Sequence, residues 1–567
     1  MPRLSGLYFV ALSLVACSLY VPDVASRDGV GGKPGHVGRG GSSPESGGSA
    51  TGGAPDETGG SGGALGNCDG CAGVGGVDDG GQAGADTSAA GADDGSDGGN
   101  GGAPEGGAGG AAGASESQAG SGDDEGGASG DGGAGEVPEE PAAVHVEAEV
   151  SYQTLEGFGA SVGWYENLLI DNPHKTEIYD VIFEELGLDI LRLRNRYRGE
   201  AEDFDSAAAE LVEAATESLG RAPRVLLSSW SPPRALKAND REDCSGESTC
   251  TLAKDENGFV YDAFADYWME SLAAYAQLGV VPEWISIQNE PDFIPPSWEG
   301  CKFTASETSQ YPGYGVALER VHERLQELEN PPKLLGPETL GLHWNKLEVY
   351  GPELDIDLLD GIAHHLYEGD AWEDPDLYID PMRAARMQFP DKPKFQTEFS
   401  IPGHDAYIET AWLIHNSLVE EHVASYLHWD LIWEWGDGLV ALESPGSPGT
   451  WKTEKGYLVR KTYRSVQHYA RFTEPGYVRV AAISTASALR STAFLSPDED
   501  RLVVVLVNTD EVPRRTVISW AGVSAKASAV YRTSESEDFV DLGALPADKS
   551  VLVTPRSLIT VRLDLVD

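Results

Sequence analysis

The chain reads as α/β: a (β/α)8 TIM barrel with an appended β-sandwich side domain, preceded by a disordered Gly-rich tether. Three observations predict this. Strand and helix patterns alternate without long gaps between about residues 143 and 465. Beyond Tyr463 the pattern changes to short alternating segments separated by turn residues. From Arg27 to Pro141 there is almost no large apolar residue. Strand alternating with helix means parallel strands and right-handed crossovers, and eight such units over roughly 320 residues fit a barrel with loop insertions. The 567 residues therefore divide at 1–17, 18–142, 143–465 and 466–567.

The first division is a signal. Arg3 precedes an apolar run from Leu7 to Ala16, and Leu14-Val15-Ala16-Cys17 resembles a bacterial lipobox. The run is shorter than the ~20 residues a membrane-spanning helix needs. Cys17 is expected to become the lipidated first residue of an exported cell-envelope lipoprotein; the alternative is an ordinary cleaved signal and a chance cysteine. The Gly, Ala, Ser, Asp and Glu of 18–142 cannot bury enough surface to offset chain entropy, which predicts a disordered tether. No Lys or Arg lies between Arg39 and Lys175, so this stretch supplies much of the formal charge of −52 and should be extended by self-repulsion. That sign argues against nucleic-acid binding. Cys68 and Cys71 form a lone CxxC with no second pair at zinc spacing, so no metal site is expected there.

The rest is long enough for a barrel and a smaller second domain. Val144 to Val150 alternates as a strand. Leu155 to Ser161 follows, its glycines permitting close backbone approach on the first barrel strand. A helix over His174–Leu186 stops at Gly187, and Asp189–Leu193 is the second strand, leading to Arg194, Arg196 and Arg198. Helix Asp205–Leu219, strand Arg224–Leu227 and helix Ala263–Leu278 come next. Leu334–Glu338, Ile362–Tyr367, Phe395–Phe399 and Ser425–Trp433 are strands five to eight, with a helix over Ala406–Val423 before the last. Segments at 478–483, 493–495, 501–508, 516–520, 527–532 and 558–563 form the sandwich, completed by the strand at 144–150. Of Cys244, Cys250 and Cys301, the first pairing to expect is Cys244–Cys250, closing a small loop; other pairings stay open.

The chemistry centres on Trp284-Ile285-Ser286-Ile287-Gln288-Asn289-Glu290-Pro291. The apolar alternation is that of a buried strand, and Pro291 ends it, leaving Asn289 and Glu290 at its carboxyl end. Barrel chemistry sits at that end. Lys394-Phe395-Gln396-Thr397-Glu398-Phe399-Ser400 is a second strand with a carboxylate at its exit. Two carboxylates on separate strands can flank one scissile bond, as glycoside hydrolysis requires.

These motifs resemble glycoside hydrolase family 30, within the clan that carries its two glutamates on strands four and seven. The resemblance rests on Gly157-Phe158-Gly159, Trp230-Ser231-Pro232-Pro233, Gln288-Asn289-Glu290-Pro291-Asp292 and Trp298-Glu299-Gly300-Cys301. It continues in His365-Leu366-Tyr367, Gln396-Thr397-Glu398-Phe399 and Pro475-Gly476-Tyr477-Val478. The branch it looks most like is the bacterial xylanases and glucuronoxylanases. It implies Glu290 as acid/base, Glu398 as nucleophile, a retaining endo-β-1,4-xylanase activity, a polysaccharide substrate, and no cofactor or metal. Asn289 is placed to bond the sugar 2-OH; Tyr367 and Arg192 resemble residues that contact the nucleophile; Trp230 and Trp429 would stack on sugar faces, with barrel core as the alternative. His364 and His365 are expected as buried, neutral hydrogen-bonding partners, facing opposite ways. One departure matters: Trp433 stands where glucuronoxylan-specific members carry a carboxylate-binding arginine, which Arg196 or Arg198 could replace. Other β-glycosidases of the family (β-1,6-glucanase, galactanase or glucosylceramidase-like) and a non-catalytic, tethered carbohydrate-binding protein are the competing readings. A monomer is expected.

Overall fold

The computed structural model describes residues 139–199, 204–342, 347–367, 374–401, 406–434, 438–443 and 452–566. The signal, Cys17, Cys68, Cys71 and the tether up to residue 138 lie outside the described residues. Among the described residues no helix is long and apolar enough to cross a membrane.

Eight parallel strands close the barrel: Gly157–Val162, Ile190–Arg194, Arg224–Ser228, Trp284–Ser286, Lys333–Thr339, Gly361–His365, Lys394–Glu398 and Val423–His428. Each pairs with the next, and the eighth returns to the first through Ser425 and Gly157. All but one of them send an apolar side chain into a common interior layer: Ile190, Leu226, Trp284, Leu335, Ala363, Phe395 and Leu427. The first strand contributes Gly159 to this crowded wall instead. A Cβ there would lie 1.9 Å from the Ile190 carbonyl oxygen, so only glycine lets the first strand close on the second.

The crossovers are amphipathic helices whose apolar faces join the main core. Ser206–Leu219 begins where the Asp205 carboxylate accepts from the Ala208 amide at 3.2 Å and ends at Gly220, φ 67°. The segment expected as one helix over 174–186 is α-helical at Lys175–Tyr179 and widens to a π-turn over Asp180–Glu185. Likewise Tyr407–Asn416 widens over Ser417–Glu421 and stops at His422, φ 64°, one residue short of the expected end, because Val423 already belongs to the eighth strand. The helix Lys461–Ala470 runs across the expected boundary at 465 and packs against the first strand, Tyr469 meeting Phe158 at 6.0 Å.

The side domain is one nine-stranded sheet, in the order Glu537–Gly543, Ala525–Ser534, Ser557–Leu565, Arg501–Asn508, Leu489–Leu495, Val478–Ser484, Glu140–Thr154, Arg514–Ala521, Ser550–Val553. It curls over its own core, bringing Arg532 near one end within 3.5 Å of the Leu552 carbonyl at the other. The expected sandwich is thus a single sheet folded on itself. Its first-made strand is longer than expected, Glu140–Thr154, running parallel to Arg514–Ala521 and antiparallel to Val478–Ser484. In Arg501–Asn508, Leu502, Val504 and Leu506 face the sheet's core, while Val503, Val505 and Val507 join the barrel's. That period of two buried on both faces locks sheet to barrel. Cys244 and Cys250 are disulfide-bonded; Cys301 is buried and has no disulfide partner among the described residues.

Candidate active site

Arg192 is the hub of the carboxyl end of the barrel. It lies on the second strand with no exposed surface, so its donors must all be met inside the protein. Nη1 donates to Glu398 Oε2 at 2.6 Å and to Ser161 Oγ at 3.2 Å. Nη2 donates to Asn289 Oδ1 at 2.6 Å, and Nε to Glu338 Oε1 at 3.1 Å and Ser228 Oγ at 3.2 Å. The guanidinium lies 4.4 Å from the Trp230 ring centroid. Burial alone would weaken its hold on the proton, but Glu338 and Glu398 outweigh that and raise its pKa.

Strand four leaves regular geometry at Ser286, and Glu290 sits in the left-handed region at φ 46°. Its amide donates to the Glu338 carbonyl at 3.0 Å, and its Oε1 meets His365 Nδ1 at 3.0 Å. Burial pushes the Glu290 carboxyl up to about 7; His365 opposes this, and Glu398 and Asp292 add to it. One oxygen of Glu290, one of Glu398 and a ring nitrogen of His365 all lie within 4.8 Å of one another.

His365 is buried as expected, but it lies among three carboxylates. Fully buried on the sixth strand, it places Nε2 3.8 Å from Glu398 and 3.9 Å from Glu338, in addition to its Nδ1 contact with Glu290. Burial disfavours its charge, but Glu398 first, then Glu290 and Glu338, raise its pKa to about 9. His364 faces outward to Glu421 at 2.7 Å, as adjacent strand residues must. Glu338, read from the sequence only as the end of strand five, is a fourth member of the cluster. Burial would raise its carboxyl, but Arg192 and then His365 hold it down at about 2.

Beside the charges stands an aromatic wall. Trp164 meets Trp230 and Trp429 at 5.7 Å each and Trp433 at 6.3 Å. Trp433 meets Trp429 at 5.9 Å and Tyr165 edge-on at 4.7 Å. Gly163 lets Trp429 lie on the backbone, since a Cβ there would be 2.9 Å from Cη2. Trp164, Trp429 and Trp433 are partly buried; Trp230 is 3% exposed and backs Arg192. Tyr367 stands edge-on to His365 at 6.0 Å and 5.3 Å from Phe399, and its phenol adds to the field on Arg192. Trp433 is not on the eighth barrel strand, which ends at His428. It belongs to Ile432–Glu434, part of a separate small sheet with Val440–Leu442 and Tyr457–Val459.

Trp164 and Tyr165 were not legible as site residues, although their place just after the first strand was a usable signal. The arginines after strand two are each paired with a carboxylate, Arg194 buried and Arg196 and Arg198 partly exposed. Arg196 pairs with Glu166 at 2.6 Å, Arg198 with Glu299 at 3.1 Å, and Arg194 with Glu299 at 3.2 Å while lying 4.2 Å from the Trp164 ring centroid.

No protein-family model matches the chain. A Caenorhabditis elegans protein named as a glucosylceramidase is 24% identical over 337 residues, 55% of this chain and 61% of that protein's length. The glucuronoxylanase XynC of Bacillus subtilis strain 168 is 24% identical over 386 residues, 64% of this chain and 78% of XynC. Among solved structures, the family 30 subfamily 8 xylanase Xyn30A of Clostridium acetobutylicum superposes with a TM-score of 0.58 at 20% identity, over 74% of this chain and 99% of that one. The chain thus shares the barrel-and-side-sheet fold of the family 30 xylanases, the branch its motifs resemble.

Proposed function

With the fold of glycoside hydrolase family 30 as premise, we propose that this chain is a retaining β-glycosidase that cleaves β-1,4-xylan-type polysaccharide by double displacement. One observation carries the reading: carboxylate oxygens of Glu290 and Glu398, at the exits of strands four and seven, lie within 4.8 Å. That is near the ~5–5.5 Å of retaining enzymes and short of the ~6.5–9.5 Å that leaves room for an inverting water. Glu398, ion-paired to Arg192, attacks the anomeric carbon as Glu290 gives its proton to the leaving oxygen. Glu290 then takes a proton from the water that cleaves the glycosyl ester. With Asn289 Oδ1 committed to Arg192, its amide nitrogen is turned to donate, supporting a bond to the 2-OH. Neither metal nor cofactor is called for by this chemistry.

The cleft favours a neutral chain. Arg194, Arg196 and Arg198 are each engaged by Glu299 or Glu166, and Trp433 offers an indole face rather than a cation. Lipid on Cys17 would hold the enzyme at the cell envelope. The test is a product profile on unbranched xylan, glucuronoxylan and β-1,6-glucan, with the anomer followed by NMR. Xylo-oligosaccharides released first as the β-anomer support the reading, and inverted products overturn it. A glucosyl lipid is the second reading, suggested by the worm relative, and cleavage of that substrate with no action on xylan would favour it.

A further inference from the structure

We propose that His365 is the fixed cation of the reaction, a positioning residue whose imidazolium faces the negative charge of the site before and after it moves from Glu398 to Glu290. The inference rests on the assignment of those two glutamates above. Its basis is geometric. One buried ring touches three carboxylates delivered by three strands: Glu290 at 3.0 Å, Glu398 at 3.8 Å and Glu338 at 3.9 Å. Its Nε2 has no hydrogen-bond partner among the described residues, so what it offers Glu398 and Glu338 is charge rather than a directed bond.

The charge balance gives the arrangement its purpose. Facing His365 are Glu290, with Asp292 beyond it, Glu338 and Glu398; Tyr367 stands at its edge, and Arg192 lies behind the carboxylates. In the free enzyme Arg192 and His365 are positive, Glu338 and Glu398 negative, and Glu290 holds its proton, so the buried cluster is neutral. In the first step a bond forms between Glu398 and the anomeric carbon, the bond to the leaving oxygen breaks, and the Glu290 proton goes to that oxygen. Glu398 is now an uncharged ester and Glu290 an anion. The cluster is neutral again, and the anion has moved to the other side of one imidazolium that neither gains nor loses a proton. With a neutral ring the cluster would hold one uncompensated buried negative charge in both states, which a low-dielectric site resists.

Two measurements on the full-length protein test this. In protein labelled with carbon-13 at histidine Cε1, the His365 resonance is identified by its loss in His365→Asn. It should stay at the protonated position from pH 5 to about 8, and a neutral ring at pH 7 would overturn the proposal. If His365→Asn does not fold, Glu290→Gln serves instead: with one of three carboxylates gone, the histidine resonance that moves should titrate at lower pH, and no such shift in any buried histidine would overturn the proposal. Second, His365→Asn keeps a donor toward Glu290 but removes the charge, so the alkaline limb of kcat/KM on xylan should move up by about one pH unit or more. A fall in activity with the limb unmoved would reduce His365 to a packing role and overturn the proposal. Should the wild type not act on xylan, the substrate reading fails, while the histidine titration still decides whether this ring is the cation.

Discussion

Glu290 and Glu398 differ in what surrounds them, and that difference supports the roles proposed for them. Glu398 has a guanidinium nitrogen at 2.6 Å, whereas Glu290 has burial and a histidine. Replacing Glu398 with Ala should abolish turnover, and azide should restore it with formation of the α-glycosyl azide. Glu290→Ala should lose about 10²–10⁴-fold on xylan, remain active on aryl glycosides with good leaving groups, and yield the β-azide. Xylan hydrolysis at wild-type rate by either variant would undo the assignment. Because the proposed mechanism needs Glu290 protonated and its pKa is raised to about 7, kcat/KM should fall as pH rises through about 7. Stability follows the same signs. The contribution from Glu290 is full below its usual 4.5 and is lost as pH rises through about 7. That from Glu338, held at about 2, is present above 4.5 and lost as pH falls through 2. Urea titrations across this range should show both edges. Trp433 sets a third expectation. A carboxylate-binding arginine is worth on the order of 1.5–3 kcal/mol, and an indole cannot replace that contact. Unsubstituted xylan should therefore be cleaved within about tenfold of glucuronoxylan. Products all branched at one fixed subsite would contradict this.

At the scale of elements, the helix Ser206–Leu219 shows how closely scaffold and site are joined. Its capping residue Asp205 accepts from the Ala208 amide at 3.2 Å and from the Tyr275 hydroxyl at 2.6 Å, and Tyr275 in turn accepts from the Arg196 amide at 2.9 Å. Asp205→Ala should cost about 1 kcal/mol for the cap and about 1–3 kcal/mol more for the buried partner left behind, read as a lower urea midpoint with an unchanged m-value. Elements with a strong local signal were legible in the sequence: Arg501–Asn508 was read to the residue because its apolar run is bounded by turns at both ends. Glu537–Gly543 was missed because it lies at one end of the sheet and is mostly exposed, so no apolar run marks it, and Ser550–Val553, at the other end, because it is only four residues long. The two carboxylates proposed as catalytic were legible as a pair because each ends a strand beside recognisable neighbours. Glu338 and the carboxylates gathered around His365 were not, since both depend on which strands the closed barrel places side by side.

The whole molecule poses two questions beyond the cleft. One is location. If Cys17 carries lipid, the protein should partition with membranes, and Cys17→Ala should release it; a soluble mature form beginning elsewhere, with no lipid on Cys17, would refute the anchor. The other is time. Glu140–Thr154 is among the first described residues a ribosome makes, yet both of its neighbours, Val478–Ser484 and Arg514–Ala521, come near the end. At about 5–20 residues per second, it waits roughly 17 to 66 seconds with both edges bare. The barrel between can complete its ring in that interval, since the partners of its eight strands all precede residue 428. Birth order and folding order are therefore opposed at this one strand. Whatever accompanies the nascent chain must shield a naked β-edge until its last partner arrives.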